Sequence, residues 1–282
     1  MAIRQILLAL PSFPDAAPNQ VLEGACALTR AVGARMTAQI PQLSRDQATW
    51  PAVMGTFPLD FPQLMNEAVV QSEANAATMS EALTKLCSEF DLNLDLRRCL
   101  TTLHASNEDM VDLARLHDWV ALPAPESPGF EHSGIQAAIF DSGRPVVLLP
   151  SRRRKLQWLD RVVVAWDYSR EAARALSDAL PLLALAKQVH IVSVFGEKGI
   201  HTTCATSDLD KFLCAHNVKY VLQQETLKSN SISEFLMEYA LDQNADMLVM
   251  GAYGRSRLRE FVLGGASHGV LGDPLLPIFL SH

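Results

Sequence analysis

Almost nothing in these 282 residues suits export, membrane insertion or metal chemistry. Cysteine is sparse: Cys26, Cys87, Cys99, Cys204 and Cys214 form no CxxC pair and no metal-ligand spacing. An odd count without a framework points to a reducing compartment. No apolar run reaches ~18 residues, so no membrane span is expected. The start, Met1-Ala2-Ile3-Arg4-Gln5, runs straight into a short apolar strand and lacks a signal-peptide core and cleavage site. A cytoplasmic protein is the expectation. Positive charge is in deficit, with 24 Lys and Arg against 31 Asp and Glu for a net charge of −7. A nucleic-acid partner is therefore not expected. The basic cluster Arg152-Arg153-Arg154-Lys155 lies between two apolar runs and reads as a solvated linker.

Catalytic signatures are missing too. There is no H-E-x-x-H, no nucleophile elbow and no Cys/His cluster. His201, Cys204 and Cys214 share one stretch, but with no fourth ligand they make a weak zinc site. No Asp or Glu near the glycine-rich segment described below stands out as a water activator. No efficient enzyme is expected.

What is present is alternation. In the first half, apolar strand-like runs cover Ile6 to Leu10, Ala34 to Ile40, Leu94 to Leu100, Trp119 to Leu122 and Pro145 to Leu149. Between them lie helix-like segments from Asn19 to Val32, Phe61 to Phe90, Asn107 to Arg115 and Ile135 to Asp141. The second half repeats the order. Its strands are Arg161 to Trp166, Val189 to Phe195, Val218 to Leu222, Met247 to Met250 and Pro277 to Leu280. Its helices are Glu171 to Leu185, Leu209 to Ala215, Ile232 to Gln243 and Gly265 to Leu271. Strand and helix in turn predict an α/β fold, with two doubly wound parallel five-stranded sheets in tandem. The expected division is 1–150, a basic linker at 151–156, and 157–282. The stretch from Ala48 to Pro62, long, apolar and proline-rich, reads as a loop folded over its own domain.

One segment of the second half carries chemistry. The strand ending in Met250 runs into Gly251-Ala252-Tyr253-Gly254-Arg255, and Gly264-Gly265-Ala266-Ser267 follow with nine residues between Gly254 and Gly264. Glycines at a strand exit let backbone approach a ligand closely. A second glycine pair at a helix start offers free N–H groups to phosphate oxygens. The spacing G-x2-G-x9-G is neither the Walker nor the dinucleotide pattern. In a doubly wound sheet the ligand crevice lies at the carboxyl ends of the strands where their order reverses, here between the first and fourth strands. Asp167 ends the first strand, and it also suits a turn former ahead of Ser169.

Gly251-x2-Gly254-x9-Gly264, with Val162 to Asp167 and the helix that follows, resembles the nucleotide-binding signature of the universal stress proteins. The resemblance covers most of residues 156–282 and reaches 1–150 in outline. It implies the strand order 3-2-1-4-5 and an adenine nucleotide, ATP with or without Mg, in the second half. It implies that Asp167 contacts the adenosine part, that Ala165 and Trp166 line the base pocket, and that the backbone of Val194 reads the adenine edge. Met250, Gly251, Gly254, Arg255, Gly264, Gly265, Ala266 and Ser267 would form the phosphate side. The family has Ser or Thr directly after the third glycine, where this chain has Gly265. Two other readings therefore stay open: a stress adaptor without nucleotide, and a slow ATP hydrolase.

Overlaying the halves puts Pro11 on Asp167, Pro123 on Gly251 and Glu126 on Gly254, with the first copy about four residues shorter before its last strand. The first copy thus keeps the architecture and loses the phosphate cradle, since proline lacks the N–H donor. The resemblance further implies pairing between the last strands of the halves within the chain, with a homodimer left open.

Overall fold

The computed structural model describes residues 2–44, 61–102, 106–125, 131–152, 159–195, 203–226, 232–252 and 274–282. In the first half the strands are β1 (Gln5–Ala9), β2 (Arg35–Leu43), β3 (Leu94–Thr101), β4 (Trp119–Pro123) and β5 (Val146–Leu149). Its helices are α1 (Asn19–Val32), α2 (Phe61–Glu89), α3 (Ser106–Ala114) and α4 (Glu131–Asp141). The second half contributes β6 (Arg161–Ala165), β7 (Gln188–Phe195), β8 (Tyr220–Thr226), β9 (Met247–Gly251) and β10 (Ile278–Ser281). Its described helices are α5 (Arg170–Leu183), α6 (Thr206–Ala215) and α7 (Ile232–Asp242). The expected loop 48–62 lies outside the described residues except for its last two, which open α2. The expected helix from Gly265 to Leu271 lies wholly outside them.

All ten strands join one sheet in the order β3-β2-β1-β4-β5-β10-β9-β6-β7-β8. Each half reads 3-2-1-4-5 outward from its third strand, as the resemblance implies. Within each half every pairing is parallel. The halves meet through a single antiparallel pair, β5 against β10, in which Val147 faces Phe279 and Leu148 faces Ile278. The last strands of the halves thus pair within the chain, as the resemblance implies, and join the two five-stranded sheets into one.

The residue types follow position in this sheet. Central strands β5, β9 and β10 are buried at every residue, because helices cover both faces. Edge strands β3 and β8 alternate between half-buried and exposed, which is why charged residues such as Asp95, Arg97 and Arg98 can stand in β3. One apolar layer joins α1, α2, α5 and α6 to the sheet, and a second joins α3, α4 and α7 to the opposite face. Both layers run through the junction. There the Trp119 ring, 1% exposed, meets Phe279 edge-on at 5.2 Å.

The same main-chain hydrogen bonds recur in the two halves. Leu10 N–H donates to Gln39 O and Trp166 N–H to Val192 O. Ala124 N–H donates to Leu149 O and Ala252 N–H to Ser281 O. Val120 N–H donates to Pro145 O and Leu248 N–H to Pro277 O. These equivalences place Pro11 on Asp167 and Pro123 on Gly251, as in the sequence overlay. A further pair escaped the sequence reading. Asp118 Oδ2 accepts the N–H groups of Arg4 and Gln5 at 2.7 and 3.0 Å, and Asp246 Oδ2 accepts those of Asp160 and Arg161 at the same distances. In both halves an aspartate just before the fourth strand anchors the start of the first.

Element limits differ from expectation at a few ends. β8 begins at Tyr220 rather than Val218, because Val218 N–H closes the end of α6 onto Leu213 O and its side chain is buried. Asn217, at φ 57°, makes that reversal.

The junction yields a test. Phe279→Ala removes a fully buried ring from the shared core, so urea unfolding should show a loss of about 3–5 kcal/mol. A loss within about 0.5 kcal/mol, the size of an ordinary surface change, would show that the halves do not depend on this contact.

Candidate functional site

The order of strands in the second half reverses between β6 and β9, since β6 pairs with β7 on one side and β9 on the other. The carboxyl ends of these strands therefore frame a crevice. The chain leaves the sheet immediately after Trp166, whose N–H is held by Val192 O at 2.8 Å. Asp167 follows, half-buried, and one of its carboxylate oxygens accepts the Ser169 N–H at 2.9 Å. Tyr168 between them has φ 59°, the left-handed region. Ser169 then caps α5, its Oγ accepting the Ala172 N–H at 3.1 Å. The turn-forming reading of Asp167 is thus realised locally, whatever else the carboxylate does.

Val194 lies across the crevice on β7. Gln188 N–H donates to Asp160 O on the β6 side, and Val189 N–H donates to Lys219 O on the β8 side. Main-chain groups of a parallel strand alternate between its neighbours. Gln188, His190, Val192 and Val194 consequently face β6. But β6 pairs with β7 only as far as Ala165 with Val192. The N–H and C=O of Val194 are therefore directed past the end of β6, into the crevice. The equivalent of Val194 in the first half is Pro41, by the same register, and proline has no N–H to offer.

Trp166 is half-buried, its ring against the core layer beneath the α5 face and edge-on to Tyr168 at 5.2 Å. Its Nε1 is buried without a hydrogen-bond partner. Ala165 is half-buried on the opposite face. The side chains of Met250 and Val194 belong to the core, so these two can meet a ligand only through backbone.

Gly251 ends β9. A Cβ there would lie 2.5 Å from the Glu171 carbonyl carbon and 2.7 Å from the Ala172 nitrogen. What comes close to this glycine is the first turn of α5. Packing against α5 is therefore sufficient by itself to require glycine at this position. The halves differ here for a reason of chain length. Four residues (166–169) separate β6 from α5, whereas nine (10–18) separate β1 from α1. The short link pulls α5 onto β9; the long one lets Pro123 stand at the matching place. In the first half the longer link is tied down by α2. Ser12 Oγ and Ser72 Oγ are 2.6 Å apart, and Asn75 Nδ2 donates to Ser12 O and Pro14 O at 2.9 and 3.2 Å.

Gly254, Arg255, Gly264, Gly265, Ala266 and Ser267 lie outside the described residues. The structure thus brings together Ala165, Trp166, Asp167, Val194, Met250 and Gly251. A separate hollow of about 710 Å³, lined by Arg161, Lys187, Lys219 and Asp246, lies at the amino ends of the strands, away from this crevice. Among the described residues, no group of three or more His, Cys, Asp or Glu could hold a metal, and no helix is long and apolar enough to cross a membrane.

Gly251→Ala should destabilise the chain by about 1–3 kcal/mol, through overpacking against α5. Urea unfolding without any ligand checks it; unchanged stability would mean that α5 does not rest on β9.

Residues 159–274 match the model of the Universal stress protein family. A universal stress protein from Archaeoglobus fulgidus DSM 4304 superposes with a TM-score of 0.63 at 17% identity, covering 98% of this chain and 95% of that one. A putative universal stress protein from Pseudomonas aeruginosa UCBPP-PA14 gives 0.56 at 14% identity, covering 99% and 93%. A universal stress protein from Archaeoglobus fulgidus in complex with dAMP covers 53% of this chain and 99% of its own, with a TM-score of 0.33 at 16% identity. The search of curated proteins finds no match.

Proposed function

We propose that this chain, whose residues 159–274 match the model of the Universal stress protein family, is a tandem member of that family and binds one adenine nucleotide, ATP before others, in its second half. The observation that carries this reading is the direction of the Val194 backbone. A main-chain N–H and C=O aimed past the end of β6 offer one donor and one acceptor, the pattern that an adenine edge needs. Asp167 stands at the switch point, with a carboxylate able to accept from ribose hydroxyls. The spacing Gly251, Gly254, Gly264 would bring main-chain N–H groups to the phosphates, with Arg255, Gly265, Ala266 and Ser267 beside them. Mg would accompany the phosphates as their counter-ion.

The first half, residues 1–150, is on this reading a degenerate copy, joined by the basic connector 151–156 to the binding domain at 157–282. Pro11, Pro41 and Pro123 take the places of Asp167, Val194 and Gly251. The role is that of a stress-response protein in the cytoplasm. Turnover is at most slow, because no carboxylate stands out to activate water.

A second reading is favoured by one observation. Gly251 and Asp167 each have a local structural task, so their presence does not require a ligand. A nucleotide-free adaptor on the same scaffold follows if Gly265 cannot replace the usual Ser or Thr.

Calorimetric titration with ATP, with and without Mg, separates the two. The native chain should bind, and Asp167→Ala should weaken binding by about 1.5–3 kcal/mol if the carboxylate makes a charged hydrogen bond. Because that variant also loses the Ser169 contact, its unfolding midpoint is measured alongside. Full affinity in a folded Asp167→Ala removes the residue from the site, and no heat with the native chain favours the adaptor. ATP should also change the tryptophan emission, and Trp166→Phe should abolish most of that change. An unaltered response would place the base elsewhere.

A further inference from the structure

The first half holds two buried thiols in contact. Cys26 on α1 is 0% exposed and Cys87 on α2 is 3% exposed, and their Sγ atoms are 3.8 Å apart. The two helices lie side by side, and both cysteines belong to the same core layer. The remaining cysteines are placed differently. Cys99 is half-buried beside Gln39, and Cys204 and Cys214 are exposed. Nothing in the proposed nucleotide site uses the Cys26–Cys87 pair.

We infer that Cys26 and Cys87 form a reversible disulfide when the protein meets a hydroperoxide, locking α1 to α2 across the outer face of the first half. A disulfide needs its sulfurs at about 2.05 Å, so from 3.8 Å they must close by about 1.8 Å. Either sulfur can donate to the other, so exposure assigns the roles. Cys87, at 3% against 0% for Cys26, is the thiol that an entering peroxide reaches first, which makes it the nucleophile and Cys26 the resolving thiol.

The Cys87 thiolate attacks one oxygen of hydrogen peroxide, the O–O bond breaks, and the departing hydroxide takes up a proton as water. Cys87 is then a sulfenic acid. The Cys26 sulfur attacks it, the S–S bond forms, the S–O bond breaks, and a second water leaves with the Cys26 proton. Two thiols are oxidised, one peroxide is reduced, and two waters result. Burial makes the first step wait for a local opening of α1 from α2, so the pair responds to sustained peroxide and spares brief exposure.

The test uses the full chain carrying Cys99→Ser, Cys204→Ser and Cys214→Ser, in which only the buried pair remains. Treated folded with hydrogen peroxide, it should lose about 2 Da in intact mass, the two hydrogens given up in forming a disulfide. It should yield a linked Cys26–Cys87 peptide and return to its starting mass with dithiothreitol. The oxidised form should unfold at a higher temperature than the reduced form, because the bond closes a long loop in the unfolded chain. The native chain, alkylated before and after reduction, should show the same pair linked. The inference is overturned if both thiols still alkylate after denaturation, at a peroxide dose that consumes Cys204 and Cys214 in the native chain. Oxygen addition without a cross-link would overturn it equally.

Discussion

One antiparallel strand pair makes this chain a single body. Without the pairing of β5 and β10, each half would end in an apolar strand with an open edge, a surface that invites other chains. Pairing them buries both edges at once, and Trp119 and Phe279 fill the space beneath. The apolar layers on both faces then run unbroken from one half to the other. The crevice of the second half stands next to this junction, because β9, which carries Gly251, is the neighbour of β10.

The two halves share a frame and diverge at one link. The frame is set by repeated main-chain bonds and by the aspartates Asp118 and Asp246, which anchor the first strand of each half. The divergence begins after the first strand. A four-residue link with Ser169 as helix cap draws α5 down onto Gly251. A nine-residue link rich in proline is instead fastened to α2 by Ser12 and Asn75. The second half thus keeps its switch point between β6 and β9 open to the main-chain groups of Val194, which are directed past the end of β6. The first half offers proline at the corresponding places.

The α/β class was legible because apolar strand runs alternate with helical periodicity and turn residues throughout, whereas the strand order followed only from the family resemblance, since spacing does not fix it. The match of Pro123 to Gly251 was legible as well, since short strands ending in punctuating residues align with little freedom. The cause of Gly251 was not. A glycine at a strand exit looks the same whether a ligand or a helix approaches it, and only the position of Glu171 and Ala172 distinguishes them. The structural tasks of Asp118 and Asp246 were also hidden, because an acid before a strand has no signature beyond its charge. The buried Cys26–Cys87 contact joins residues from two helices far apart in the chain, which no spacing rule would link. Likewise, the direction of the Val194 backbone depends on the register of β7 with β6 and β8, which sequence periodicity does not contain.

The central claim is that the second half alone holds a nucleotide. Native mass spectrometry of the purified chain, equilibrated with excess ATP, measures this directly. The account predicts one nucleotide mass per chain and no more. Two nucleotides per chain, or none, would contradict it.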